Sequence, residues 1–314
     1  LTSSKVLVLG SINVDVIAYA DFSKAKSNYV FASEIRTNPG GKGLNTAIGC
    51  AAFDGGRSEL LGRIGHDMYG EYAIEYARTQ GINSDSIIRD SSAQTGMGLL
   101  RVNTEGEYET VVIKGANENL STADYSNYIS TKGAPDFVIA SLETPLATIR
   151  SVADFTPEAQ LVINVSPWSF GSRDALALSD IAVLNLSEAR ELTGQGEHSR
   201  PQSILHELRG LCAGAIVITL GDQGAVAIDA DGAFFHVEAQ PVEPVNTVGA
   251  GDSFLAALVM AISSGLGLNE AMVAANHAGR LVCLSANSHL THQDVLKIQE
   301  LTGFSFTNEK RKGQ

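Results

Sequence analysis

The sequence predicts an α/β protein whose parallel sheet is covered by helices on both faces. Short apolar runs at 6–9, 137–140, 161–164 and 215–220 read as strands buried on both sides, since a strand with one wet face would alternate. Patterns of helical length lie between them, at 44–53, 69–79, 145–155 and 203–211. Strands that alternate with such helices make βαβ units. From Gly249 the rhythm becomes helix after helix, at 251–263, 269–284 and 291–301.

Two segments break the βαβ order. Residues 14–36 hold strand-like pieces at 14–19 and 29–36. Residues 97–114 form a hairpin pattern, 97–102 and 108–114, joined by the turn-rich Asn103-Thr-Glu-Gly106. Both hairpin strands are apolar on each face, with Leu99 beside Leu100 and Val111 beside Val112. Both faces are therefore expected to be covered, one over a site and the other by a second subunit or by the chain itself.

Composition removes several classes. The chain has 314 residues, 44% apolar and 18% charged, with 31 Gly, which excludes coiled coil, collagen and disorder. A net charge of -13 argues against a nucleic-acid or anionic-membrane partner. Cys50, Cys212 and Cys283 are far apart and form no CxxC pair, so buried apolar packing is expected of each. The longest apolar run, 254–262, falls far short of the roughly 20 residues of a membrane span. Residues 1–5 enter a strand pattern with no signal-peptide core, although residue 1 is not Met, and a soluble cytoplasmic protein is the expectation.

The sharpest motif is Asn246-Thr-Val-Gly249-Ala250-Gly251-Asp252, opening the helix that runs to Ser263. Small residues at a helix start let orphan amides approach an anion closely, and the helix dipole favours that charge. Asp252 is either an N-cap or a carboxylate placed to take a proton from an attacking hydroxyl. A second motif, Asn38-Pro-Gly40-Gly41-Lys42-Gly43-Leu-Asn45, fits neither a Walker A loop nor a dinucleotide fingerprint. It supplies close backbone approach, one charge and one amide. Polar residues also follow several strands: Asn13 and Asp15, Glu143, Asn185 and Glu188, and Thr219-Leu-Gly221-Asp222-Gln-Gly224. Strand carboxyl ends are where open α/β sheets bind ligands, so the agreement among them marks a site. Nine of the 31 glycines (10, 40, 41, 43, 115, 221, 224, 249 and 251) fall in the site motifs. The seven histidines show no metal-ligand spacing, and His289 and His292 are expected to be solvated.

From 6 to about 284 the chain resembles the ribokinase-like (PfkB) carbohydrate kinases, on the two glycine motifs in their order and on Gly115-Ala-Asn117 and Leu142-Glu143-x-Pro145. The resemblance implies a single three-layer α/β/α kinase domain over 1–314, with a central mostly parallel sheet and a small β-sheet lid from about 14–36 and 97–114. It implies transfer of the γ-phosphoryl group of ATP to a sugar's primary hydroxyl. Asp252 would be the base, and Gly249, Ala250 and Gly251 the anion hole. Asn13, Asp15, Gly41, Lys42, Asn45 and Glu143 would bind the sugar. Asn185, Thr219, Gly221, Asp222, Gly224 and Asn276 would line ATP, and Glu188 would orient hydrated Mg²⁺. The lid would be a homodimer contact. Independently of the resemblance, Trp168 in Ser166-Pro-Trp-Ser169 is expected to pack under a loop near the nucleotide side.

This chain departs from the pattern at three places. Asn246 stands where an Asp is usual in the K⁺ site that would involve 246 and 248, and Ser285-Ala-Asn287-Ser288 replaces the usual Gly-Ala pair. Both changes put K⁺ in question, because hard cations prefer anionic and carbonyl oxygens. The usual Pro-Gly-Glu turn of the lid is replaced by Lys24-Ala-Lys-Ser27. Ribose is the preferred substrate on the second motif, with fructose, a nucleoside such as pseudouridine, or silent sugar binding left open.

Overall fold

The computed structural model describes residues 4–20, 29–103, 108–169 and 171–306. The turn positions 104–106, the segment 24–27 and the charged tail 309–312 lie outside them. The first half of the chain runs β1 (Val6–Leu9), β2 (Asn13–Tyr19), β3 (Glu34–Gly40), α1 (Lys42–Asp54), β4 (Glu59–Gly65), α2 (Met68–Thr79) and β5 (Ile87–Asp90). It continues with β6 (Gly96–Val102), β7 (Tyr108–Ile113), α3 (Thr122–Lys132), β8 (Phe137–Ser141), α4 (Leu146–Phe155) and β9 (Gln160–Asn164). Then come α5 (Ser172–Leu178), β10 (Ile181–Asn185), α6 (Leu186–Thr193), α7 (Pro201–Arg209), β11 (Ala215–Thr219), β12 (Ala225–Ile228) and β13 (Phe234–Val237). Three helices close the described chain: α8 (Ala250–Ser263), α9 (Leu268–Cys283) and α10 (His292–Thr302).

The large sheet has the order β13-β12-β11-β10-β9-β8-β1-β4-β5, parallel except where β12 pairs antiparallel with β11 and β13. Its apolar strands are buried on both faces, as their unbroken hydrophobicity requires. Along β1, Val6 and Val8 enter a core with α1, α2, α8, α9 and α10, while Leu7 and Leu9 enter the opposite core with α3 to α7. Successive side chains of a strand point to opposite faces, so one tetrapeptide feeds both cores. The result is a three-layer α/β/α fold with all parallel strands ending at one edge.

The second sheet has the order β3-β2-β6-β7. The expected strand at 29–36 is displaced: the strand is Glu34–Gly40, because antiparallel pairing sets Asp15 opposite Asn38 and Asn13 opposite Gly40. The glycine motif therefore begins inside a lid strand, and its Pro39 is tolerated because β3 is an edge. The expectation that both lid faces are covered does not hold within one chain. Ile35, Leu99 and Val111 are exposed on one face, and Val112 on the other.

Strand β4 was not apparent from periodicity. Its Arg63 is only 20% exposed and pairs with Asp90 at 3.0 Å and Asp124 at 2.8 Å. This triad of charge-assisted hydrogen bonds ties β4, β5 and α3 together.

Candidate functional site

Only residues 10–12 separate β1 of the large sheet from β2 of the lid, and Gly43 packs directly on this joint. Leu44 N–H donates to the Ser11 carbonyl at 3.0 Å, and Gly43 N–H to Ser11 Oγ at 3.3 Å. The start of α1 is thereby fixed at the carboxyl end of β1. Helix α1 begins at Lys42, two residues earlier than expected, with Gly41 as its N-cap at φ 94. Helix α8 lies alongside: Asn45 Nδ2 donates to Asp252 Oδ2 at 3.0 Å. Both helices direct their positive ends at the same edge of the sheet.

Asp252 is 6% exposed. The N-cap of α8 is Gly249, with no side-chain cap bond, so the carboxylate faces α1 and does not cap its own helix. Burial raises the Asp252 pKa, Lys42 and Asn45 pull it down, and Glu143 raises it again. For Lys42, burial lowers the pKa, but Asp252, Glu143 and Glu188 outweigh it and the net shift is upward. Lys42 is thus a firmly protonated ammonium among three carboxylates. Three buried polar atoms without a hydrogen-bond partner gather here: Asn45 Oδ1, Ser253 Oγ and Ser141 Oγ. Ser141 and Asn164 line a small hollow beneath Lys42. Unpaired buried polar groups are rare enough that such a cluster marks a place built for a ligand or water.

Above this edge the lid presents Asn13 and Asp15. Asn117 Nδ2 donates to Asn13 Oδ1 at 2.7 Å, and Asn117 Oδ1 accepts from Ile12 N–H at 2.8 Å, which fixes the Asn13 amide. Asp15 lies between Gly40 and Gly98 on the neighbouring strands. A Cβ at Gly98 would come within 2.3 Å of Asp15 Oδ1, so only glycine leaves room for the carboxylate. Burial first, then Glu143, lifts the Asp15 pKa to about 6, against the Gly98 N–H. Glu143 Oε2 accepts from Ser11 Oγ and from Lys42 N–H, so one of its oxygens clasps the glycine loop.

On the other side of Lys42, Asn185 and Thr219 are register partners at the ends of β10 and β11. Asn185 and Glu188 form a reciprocal capping box on α6: Asn185 Oδ1 accepts from Glu188 N–H at 2.8 Å, and Glu188 Oε2 accepts from Asn185 N–H at 2.9 Å. The tight turn after β11 carries Gly221 and Asp222, both exposed. Gly224 packs against the Val237 carbonyl, which also accepts from Asn276 Nδ2 at 3.0 Å. The Asn276 amide thus ties α9 to β13. Trp168 is 46% exposed, so it is covered only in part, where packing under a loop was expected.

At 246–248 no carboxylate is offered to a monovalent cation: Asn246 presents a neutral amide oxygen, which already accepts from Val248 N–H at 3.0 Å. Cys283 O accepts from Val245 N–H at 2.8 Å and Asn246 N–H at 3.3 Å, which closes this turn onto α9. Gly249 has φ 78 and packs on Ser288: a Cβ there would lie 1.7 Å from the Ser288 carbonyl oxygen. His289 is 4% exposed, which corrects the expected solvated pair; only His292 is at the surface. Cys50 and Cys212 are buried as expected, whereas Cys283 is half-buried.

Sequence reading passed over Ser11, which joins the glycine loop to Glu143, and Gly96 and Gly98. The alternation Gly96-Met97-Gly98 inside a strand pattern was the available signal, since glycine within a strand marks a close approach.

A family model described as pfkB family carbohydrate kinase matches residues 3–293. The chain is 28% identical over 281 residues to ribokinase of Bacillus subtilis, covering 88% of this chain and 92% of that one. To ribokinase of Staphylococcus aureus it is 30% identical over 263 residues, 82% of this chain and 86% of the other. The structure of Arabidopsis thaliana ribokinase complexed with ribose and ATP superposes with a TM-score of 0.81 at 21% identity, covering 97% of this chain and all of that one, 100%. Motif order, fold and family match agree, and this chain belongs to the pfkB family of carbohydrate kinases.

Proposed function

We propose that the chain is an ATP-dependent sugar kinase that phosphorylates the primary hydroxyl of ribose. The observation that carries this reading is the buried Asp252 carboxylate, held by Asn45 and flanked by Lys42, at the glycine-lined start of α8. Asn13 and Asp15 on the lid, with Gly41, Asn45 and the free oxygen of Glu143, bind the sugar hydroxyls. Asp252 takes the proton from the primary hydroxyl, and its raised pKa brings it nearer the working pH of a general base. The backbone amides of 249–251 and the Lys42 ammonium hold the charge that develops on the transferred phosphoryl group. Asn185, Thr219, Gly221, Asp222, Gly224 and Asn276 form the ATP side. Glu188 has one oxygen in its capping box and fits a role in holding hydrated Mg²⁺ with the other. When bound, that ion supplies positive charge to the phosphates. Backbone amides, one lysine and Mg²⁺ together explain how so acidic a protein accommodates ATP. We also infer that the exposed lid face of Ile35, Leu99 and Val111 meets a second copy of the chain.

The test is an ADP-release assay over ribose, fructose, other sugars and nucleosides, with and without K⁺. Ribose should give the highest kcat/KM, and K⁺ should have little effect. Asp252→Asn should retain sugar binding by calorimetry while kcat falls by about 10²–10⁴-fold. A fully active Asp252→Asn enzyme would remove Asp252 as the base, and turnover of nucleosides alone would replace ribose as the substrate.

A further inference from the structure

The segment 284–291 joins α9 to α10 and passes behind the glycine start of α8, where the Ser288 carbonyl sits against Gly249. Its near side is a local turn, with Asn287 N–H donating to Ser285 Oγ at 3.0 Å. Its far side is held by His289. The ring Nδ1 lies 3.2 Å from the Leu290 carbonyl, which can only accept, so Nδ1 carries the proton. Nε2 is therefore the acceptor, and the Tyr76 hydroxyl donates to it at 2.7 Å. The two rings meet edge to face at 6.0 Å. Burial holds the His289 pKa below the ordinary imidazole value, against the Leu290 carbonyl and Asp294, in keeping with a neutral acceptor.

Helix α2, which carries Tyr76, is itself a fixed post. Its N-cap Asp67 accepts from Gly70 N–H at 2.9 Å, from Thr95 Oγ1 at 2.7 Å and from Thr95 N–H at 2.8 Å. One turn before Tyr76, the Tyr72 hydroxyl donates to the Thr37 carbonyl of lid strand β3 at 3.2 Å. Helix α2 thus reaches the lid through one tyrosine and the segment behind the anion hole through the next.

We propose that Tyr76 and His289 are positioning residues for phosphoryl transfer: their hydrogen bond sets the Ser288 carbonyl against Gly249 and so fixes the amides of 249–251. This rests on the kinase reading above. Neither side chain touches substrate. A shift of about 1 Å in a group that stabilises the transition state costs up to about 10²-fold in rate, and substrate binding in the ground state need not change.

The experiment is steady-state ADP release with ribose and ATP for wild type, Tyr76→Phe, His289→Gln and His289→Leu, with Tm recorded for each. Tyr76→Phe keeps the ring and removes only the hydrogen bond, so it is expected to fold with Tm near wild type. Its kcat should fall by about 10- to 100-fold while both KM values stay within about twofold. His289→Gln can still accept from Tyr76 and donate to the Leu290 carbonyl, and should retain most of kcat. His289→Leu, of similar size, should not. Equal kcat for Tyr76→Phe and wild type, or equal loss in Gln and Leu variants tracking Tm, overturns the positioning role while leaving the kinase reading intact. A wild-type protein that releases no ADP with any sugar or nucleoside overturns the kinase reading, and the positioning role with it.

Discussion

Asp15 is a carboxylate whose surroundings oppose its charge. Enclosure by Gly40 and Gly98 strips water from it, and Glu143 adds repulsion, so its pKa rises from 3.8 to about 6. The folded protein therefore binds more protons than the unfolded chain between those values, and stability falls as pH rises through that window. The ionised Asp15 is a net cost to stability above about pH 6, which the kinase reading accounts for as the cost of a sugar acceptor. Asp15→Asn should accordingly raise Tm at pH 8 and leave it nearly unchanged at pH 3, as read by thermal melts. In the wild type, KM for the sugar should rise as pH falls below about 6, because the acceptor is lost, and the Asn variant should lose that pH dependence.

At the scale of elements, the glycines of β6 decide how much room the Asn13 and Asp15 side chains have. Gly98→Ala introduces a Cβ that must displace the Asp15 carboxylate, since 2.3 Å is not a possible contact. Overpacking of this kind costs about 1–3 kcal/mol of stability, read as a lower Tm, and because the Asp15 carboxylate must move, the sugar KM should rise with ATP binding unchanged by calorimetry. Strands buried on both faces were legible in the sequence: 6–9, 137–140 and 161–164 appear in the structure within a residue or so. Strand β4 was not, because Arg63 interrupts its apolar run and is tolerated only through Asp90 and Asp124, residues far away in the chain. Register was equally hidden. Nothing local to 29–40 announces that Gly40 pairs with Asn13, and this pairing is what moves β3 toward the glycine motif. The site residues were legible where they end strands or open helices. Ser11 and the Tyr76–His289 pair were not, because their roles depend on partners distant in sequence.

For the whole molecule, the outer lid face is the feature that a single chain leaves unexplained. Ile35 is 66% exposed, Leu99 40% and Val111 62%, on β3, β6 and β7 of one sheet face. An apolar face of this kind is ordinarily buried against a partner. Val111→Asp should convert a dimer into a monomer by light scattering and raise the sugar KM, because Asp15 and Gly98 belong to the same small sheet. A wild type that is monomeric at assay concentration would remove the dimer contact.

The bond between Asn45 and Asp252 spans 207 positions, whereas that between Asn13 and Asn117 spans 104. A ribosome releases the chain from its amino end, so these two contacts become possible at very different times. The strands and the Asn117 amide that hold Asn13 and Asp15 are all synthesised by residue 117, well over 100 residues before Asp252. The Asn45–Asp252 bond must wait for α8, and His289 arrives later still. On the kinase reading proposed above, a nascent chain would hold its sugar-facing residues in place long before it has Asp252 to activate a hydroxyl, and synthesis of α8 to α10 would be the step that turns a binder into a catalyst.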